Sequence, residues 1–109
     1  MDRDLACLVD IVEAARLAIS YIGDKTEEEF LADIQCQDSV IRRLEIIGEA
    51  ARRVSEDTRA AHPELPWSHM VGMRNILIHE YDDVDLPIVW KTVQIELPAI
   101  VANVEKLLR

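Results

Sequence analysis

Residues 40–51 read Val40-Ile41-Arg42-Arg43-Leu44-Glu45-Ile46-Ile47-Gly48-Glu49-Ala50-Ala51. In the wider stretch from about Asp33 to Val54, Val40, Ile41, Leu44, Ile47, Ala51 and Val54 recur at three- and four-residue steps. This period matches one buried stripe on a helix of about 3.6 residues per turn. Gly48 lies mid-stretch beside Ala50 and Ala51, and such small side chains let a second helix backbone come close. The stretch therefore reads as a long helix packed against others.

The flanks repeat this signal. Leu5, Leu8, Val9, Val12, Ala15 and Ile19 place a first helix from about Asp2 to Ile22, with Gly23 as its stop. Thr26 with Glu29 forms a capping box for a short helix through Phe30 and Leu31, and Glu27 and Glu28 suit its first turn. Ser55 can cap another short helix to about Ala61. His62-Pro63-Glu64-Leu65-Pro66 is a rigid non-helical connection.

A further helix should run from Trp67 to His79 or Tyr81. Asp82, Asp83 and Asp85 then mark a turn, with Asp85 as cap and Pro87 early in the next helix. The last helix spans Leu86 to about Leu108, and Pro98 predicts a kink near Ile95 to Leu97. No repeat, linker or low-complexity tract interrupts this order. The expectation is a single all-α domain over residues 1–109, an antiparallel bundle of four to five helices.

Composition narrows the function. Twelve Lys and Arg against 21 Asp and Glu leave a net charge of −9 over 109 residues. A chain this acidic is no general sponge for nucleic acid, so any RNA must be handled in a local cleft. Cys7 and Cys36 stand far apart, without zinc-type spacing, and read as buried thiols. Asp2, Arg3, Asp4, Asp10 and Glu13 break any signal-peptide core, and no uncharged run is long enough for a membrane span. A cytoplasmic location without membrane association is expected.

Residues 74–81 read Arg74-Asn75-Ile76-Leu77-Ile78-His79-Glu80-Tyr81. Met70, Val71, Met73, Ile76, Leu77 and Ile78 spread apolar groups around most of this helix, which should bury it on several sides. Polar groups in such a setting need partners or a purpose. Asn75 and His79 differ by about 40° in helical register, whereas Arg74 and His79 differ by about 140°. A distortion near His79, or a second copy of the chain, would have to bring the latter two together.

The chemistry available is specific. A histidine can exchange the proton of an RNA 2′-OH near neutral pH, and an arginine fork can hold charge on phosphoryl oxygens. No metal or cofactor is called for. The residues alone leave a second reading open, in which Arg74, Asn75 and His79 serve capping, inter-helix hydrogen bonds or an ion pair with Glu49 or Glu80. Arg42 and Arg53, with Glu45 and Glu49 between them, read either as a salt-laced face or as a track for an RNA backbone. Trp67 and Trp90 read as core, and His62 and His69 as surface or capping residues.

Arg74, His79 and Tyr81 also match the Arg-x4-His-x-Tyr motif, and the chain here resembles the HepT-like toxins of the HEPN ribonuclease superfamily. The likeness extends to Gln37 through Ala50, Pro63 through Trp67, Gly72 through Asn75 and Asp85 through Trp90, in family order. It implies a homodimeric helical bundle that cleaves RNA without a metal, with Arg74 and His79 catalytic and Asn75 in polar support. It further implies a type VII-like toxin–antitoxin pair. A minimal nucleotidyltransferase antitoxin of the MntA type would transfer AMP to Tyr81, adding bulk and negative charge that oppose RNA. Glu80 stands where the family commonly has a small residue, and Asp82 and Asp83 add acidity. The competing reading is a non-catalytic helical dimer that binds and regulates a nucleotidyltransferase.

Overall fold

Helix α1 spans Arg3–Ile22 and α3 spans Ile34–Arg53, and the short α2, Glu27–Leu31, joins them. In this computed structural model, residues 3–79 and 84–109 are described, with the backbone alone for 74–79. The two long helices run antiparallel. At one end the Cys36 Sγ lies 3.5 Å from the Tyr21 carbonyl, and at the other the Ser55 N–H donates to the Asp4 carboxylate at 2.9 Å.

After α3 come α4 (Glu56–Ala61), α5 (Trp67–His79), α6 (Leu86–Lys91), a π-helical turn (Thr92–Glu96) and α7 (Leu97–Leu107). All regular structure among the described residues is helical. Helix α3 sits between α1 and α5, while α7 covers another side of α1. The long elements α1, α3, α5 and the α6–α7 rod are the expected bundle, with α2 and α4 as connectors.

Local chemistry sets the boundaries. Gly23 adopts φ +53° after α1, a conformation that disfavours side chains with a Cβ. Thr26 and Glu29 form the reciprocal capping box, and Asp33, Ser55 and Asp85 each cap the helix that follows. The core joins Ile11, Ile22 and Phe30 to Val40, Ile47, Met70, Leu97 and Val104. Each large apolar side chain buried in this way contributes about 1.5–3 kcal/mol. Cys7 and Cys36 are buried free thiols, and burial pushes the Cys36 thiol above its usual range.

Two expectations need correction. The stripe on α1 is centred differently: Ile11, Ala14 and Ala18 are buried, whereas Leu5, Val9 and Ile19 are half-buried. Because α1 meets both α3 and α7, its buried arc is wider than a single stripe. The last helix also does more than kink at Ile95–Leu97. It widens into the π turn, where the Leu97 N–H donates to the Thr92 carbonyl five residues back. Pro98 explains the change, since it has no N–H to donate and its ring would crowd the carbonyl four residues before it.

A contact distant in sequence secures the start of α1. The Asp4 carboxylate accepts from the Ser55 N–H at 2.9 Å, the Ser55 hydroxyl at 2.6 Å and the Thr58 hydroxyl at 2.5 Å. The hydrogen bonds from Ser55 and Thr58 hold its pKa below the ordinary carboxylate value. A lowered folded-state pKa gives stability that is present above the unfolded value, near pH 4, and is lost as pH falls through the folded value. Asp4→Asn should therefore lower stability at pH 7 by about 0.5–1 kcal/mol, given the site's exposure. Melting curves of the two proteins should converge as pH is lowered below about 4, and a constant gap would contradict this account.

Candidate active site

Helix α5 is anchored at its beginning. Pro66 precedes it, Leu65 and Trp67 are buried, and the Trp67 Nε1–H donates to the His62 carbonyl at 2.9 Å. Met70 and Met73 continue the buried face, whereas Ser68 and His69 are exposed and Val71 and Gly72 half-buried. Through Met73 the helix is thus buried on one side. The expected burial around most of its circumference rests also on Ile76, Leu77 and Ile78, whose side chains lie outside the described residues.

Arg74, Asn75 and His79 occupy the last two turns of α5, whose backbone stays α-helical through His79. The register offset of about 140° between Arg74 and His79 therefore stands, and Asn75 shares the sector of His79. The side chains of Arg74, Asn75 and His79 lie outside the described residues, as do Glu80, Tyr81, Asp82 and Asp83 altogether.

A cavity of about 260 Å³ lies between α5, α6 and α3. Gly72 and Met73 form one wall, Val84, Ile88 and Val89 another, and Leu44 closes it from α3. His69 Nε2 pairs with Glu96 Oε1 at 2.8 Å, tying α5 to the π turn beside the cavity. Thr92 lines the cavity and is itself buried, with its hydroxyl donating to the Ile88 carbonyl at 2.9 Å.

The remaining polar and aromatic residues resolve as follows. Arg42 and Arg53 share a groove with Asp10, Glu45 and Glu49, and Glu49 pairs with Arg52 at 2.8 Å. Three carboxylates against two guanidinium groups make this a salt-laced face and not a cationic track. Trp67 belongs to the buried core, and the half-buried Trp90 packs against it with its ring on Phe30, centroids 5.7 Å apart. Among the described residues, no group of three or more His, Cys, Asp or Glu is placed to hold a metal. No helix of the described residues is long and apolar enough to cross a membrane.

The family model for "Ribonuclease HepT-like" proteins matches residues 11–107. The chain belongs to the HepT-like ribonuclease family. It is 44% identical over 100 residues to "Probable ribonuclease HepT" of Thermococcus cleftensis, covering 92% of this chain and 91% of that protein. Two Methanocaldococcus jannaschii proteins, each named "Putative RNase", share 44% identity over 104 residues and 38% over 108. The first alignment covers 94% of this chain and 95% of the relative, and the second 98% and 93%. No solved structure gives a significant match. The HepT-like assignment made from the motif and its flanks thus holds over nearly the whole chain, with Arg74 and His79 on α5.

Sequence reasoning missed the cavity and the part Gly72 plays in it. The available signal was a glycine inside a helix, two residues before the motif, with no turn to make. A Cβ added at Gly72 would meet nothing within 4 Å, and among the described residues the positive-φ conformation belongs to Gly23. Gly72→Ala should therefore stabilise the protein by about 0.5–1 kcal/mol through helix propensity. Chemical denaturation would register this gain, and a loss of stability would show that the fold itself requires the glycine.

Proposed function

We propose that this HepT-like chain is a metal-independent endoribonuclease in which Arg74 and His79 are catalytic and Asn75 gives polar support. One observation carries the reading. Arg74 and His79, at the family's Arg-x4-His spacing, fall at the end of α5, in a chain matched over residues 11–107 by a ribonuclease family model. In the reaction His79 takes the proton of the 2′-OH, whose oxygen attacks the adjacent phosphorus as the 5′-oxygen departs with a proton. Arg74 holds the charge gathering on the phosphoryl oxygens. The products are a 2′,3′-cyclic phosphate and a 5′-hydroxyl.

Two proton transfers and the register offset on α5 favour a homodimer, in which two copies of Arg74 and His79 face one cleft. The same reading makes the chain the toxin of a toxin–antitoxin pair, silenced when a minimal nucleotidyltransferase transfers AMP from ATP to Tyr81. Acidity in the Glu80 to Asp83 segment and a net charge of −9 favour one alternative, a non-catalytic helical dimer that engages that transferase.

Purified protein should cut RNA in EDTA, and His79→Ala should slow cutting by at least about 10²-fold. Activity lost in EDTA and restored by magnesium would refute metal independence, and RNA left intact under all conditions would favour the non-catalytic dimer. With ATP and the transferase, intact mass should show AMP added to the wild type and none to Tyr81→Phe. A Tyr81→Phe chain that still gained AMP would move the modification elsewhere.

A further inference from the structure

We infer that the cavity between α5 and α6 receives a nucleobase of the RNA, and that Gly72 keeps the cavity open for it. The inference rests on the reading of Arg74 and His79 as the catalytic pair of a ribonuclease. Glycine is a poor helix former, yet Gly72 sits inside α5 with ordinary helical geometry and no neighbour within 4 Å of a Cβ position. Internal packing gives no reason for it. What the missing side chain leaves open is the cavity.

The cavity suits an uncharged flat ring. At about 260 Å³ it is smaller than the roughly 300–1,000 Å³ of sites for drug-sized ligands. Its apolar walls are the side chains of Leu44, Met73, Val84, Ile88 and Val89, His69 and Asp85 also line it, and no Lys or Arg among the described residues does so. The Met73 thioether can lie favourably against an aromatic ring. Ser68 and Thr92 add hydroxyls; that of Thr92 donates to Ile88 and keeps lone pairs for an exocyclic amine.

Placement connects the cavity to the reaction. Gly72 and Arg74 stand on opposite sides of α5, but Gly72 and His79 are seven residues apart, within about 20° in register and about 10 Å along the axis, so the cavity opens on the face that carries His79. A base seated here belongs to a nucleotide beside the scissile phosphate. Single-stranded RNA is read in this way, with bases splayed from the strand into protein pockets. A cavity that accepts one ring shape better than another sets where the strand is cut.

The test uses the full chain and uncleavable 2′-O-methyl RNA hexamers, each built from a single base, with binding followed by fluorescence anisotropy. The wild type should prefer one hexamer over the poorest by about tenfold or more, the scale on which a shaped pocket discriminates. Gly72→Leu, which fills the space, should reduce that preference to about twofold, and sequencing of RNA fragments should show the same loss of cleavage preference. Gly72→Ala, favoured by the helix, gives a smaller loss and a second measure if leucine disturbs folding. His79→Ala should retain the binding preference, so failure of the catalytic assignment and failure of the base pocket are told apart. The proposal is overturned if both glycine variants keep the wild-type preference. It is equally overturned if Gly72→Leu changes the molecular mass in solution, which would give the cavity to a second copy of the chain.

Discussion

The antiparallel contact between α1 and α3 is the constraint on which the rest of the molecule depends. Each helix is 20 residues long, and α5 and α7 pack on this pair. Its buried small residues are Ala14, Ala15 and Ala18 on α1 and Gly48, Ala50 and Ala51 on α3. Side chains of this size permit close approach of the axes, while Ile11, Val40 and Ile47 supply buried apolar volume. Enlarging a small residue here would strain the packing, and truncating Ile47 to alanine would leave a void costing about 2–5 kcal/mol. Helix α5 inherits its position from this pair, because it packs on α3.

Features that depend on a few adjacent residues could be read from the sequence. The Thr26–Glu29 capping box, the caps at Asp33, Ser55 and Asp85 and the stop at Gly23 follow from short-range hydrogen bonding and backbone sterics. Features joining distant residues could not be read. Nothing within α1 says that Asp4 reaches Ser55 and Thr58, more than 50 residues away. Pro98 announced a disturbance, but whether a helix bends or widens depends on what surrounds it. For the site, residue spacing gave the angular separation of Arg74 and His79 and the chemistry proposed for them. The cavity at Gly72 needs α3, α5 and α6 together, and a helical glycine alone does not specify what fills its place.

An acidic protein that acts on RNA must limit its own repulsion. Part of the negative charge is engaged in hydrogen bonds and ion pairs, as in Asp4 with Ser55 and Thr58, Glu49 with Arg52 and Glu96 with His69. Asp33 and Asp85 accept from helix N-termini, where the helix dipole favours them. Low overall attraction also has a use for a nuclease, since weak nonspecific binding leaves discrimination to the site itself.

The fixing of α5 at Trp67 has a mechanical consequence. The indole is buried and hydrogen-bonded to His62, while Arg74 and His79 occupy the last two turns of the helix. The helix is a lever arm, with its fulcrum at the Pro63–Pro66 corner. Twelve residues separate Trp67 from His79, a length of about 18 Å, so a tilt of about 5° at the fulcrum carries the His79 backbone by about 1.5 Å. A misplacement on that scale can cost about 10²-fold in rate. The proline corner thereby sets the aim of the helix end that carries Arg74 and His79.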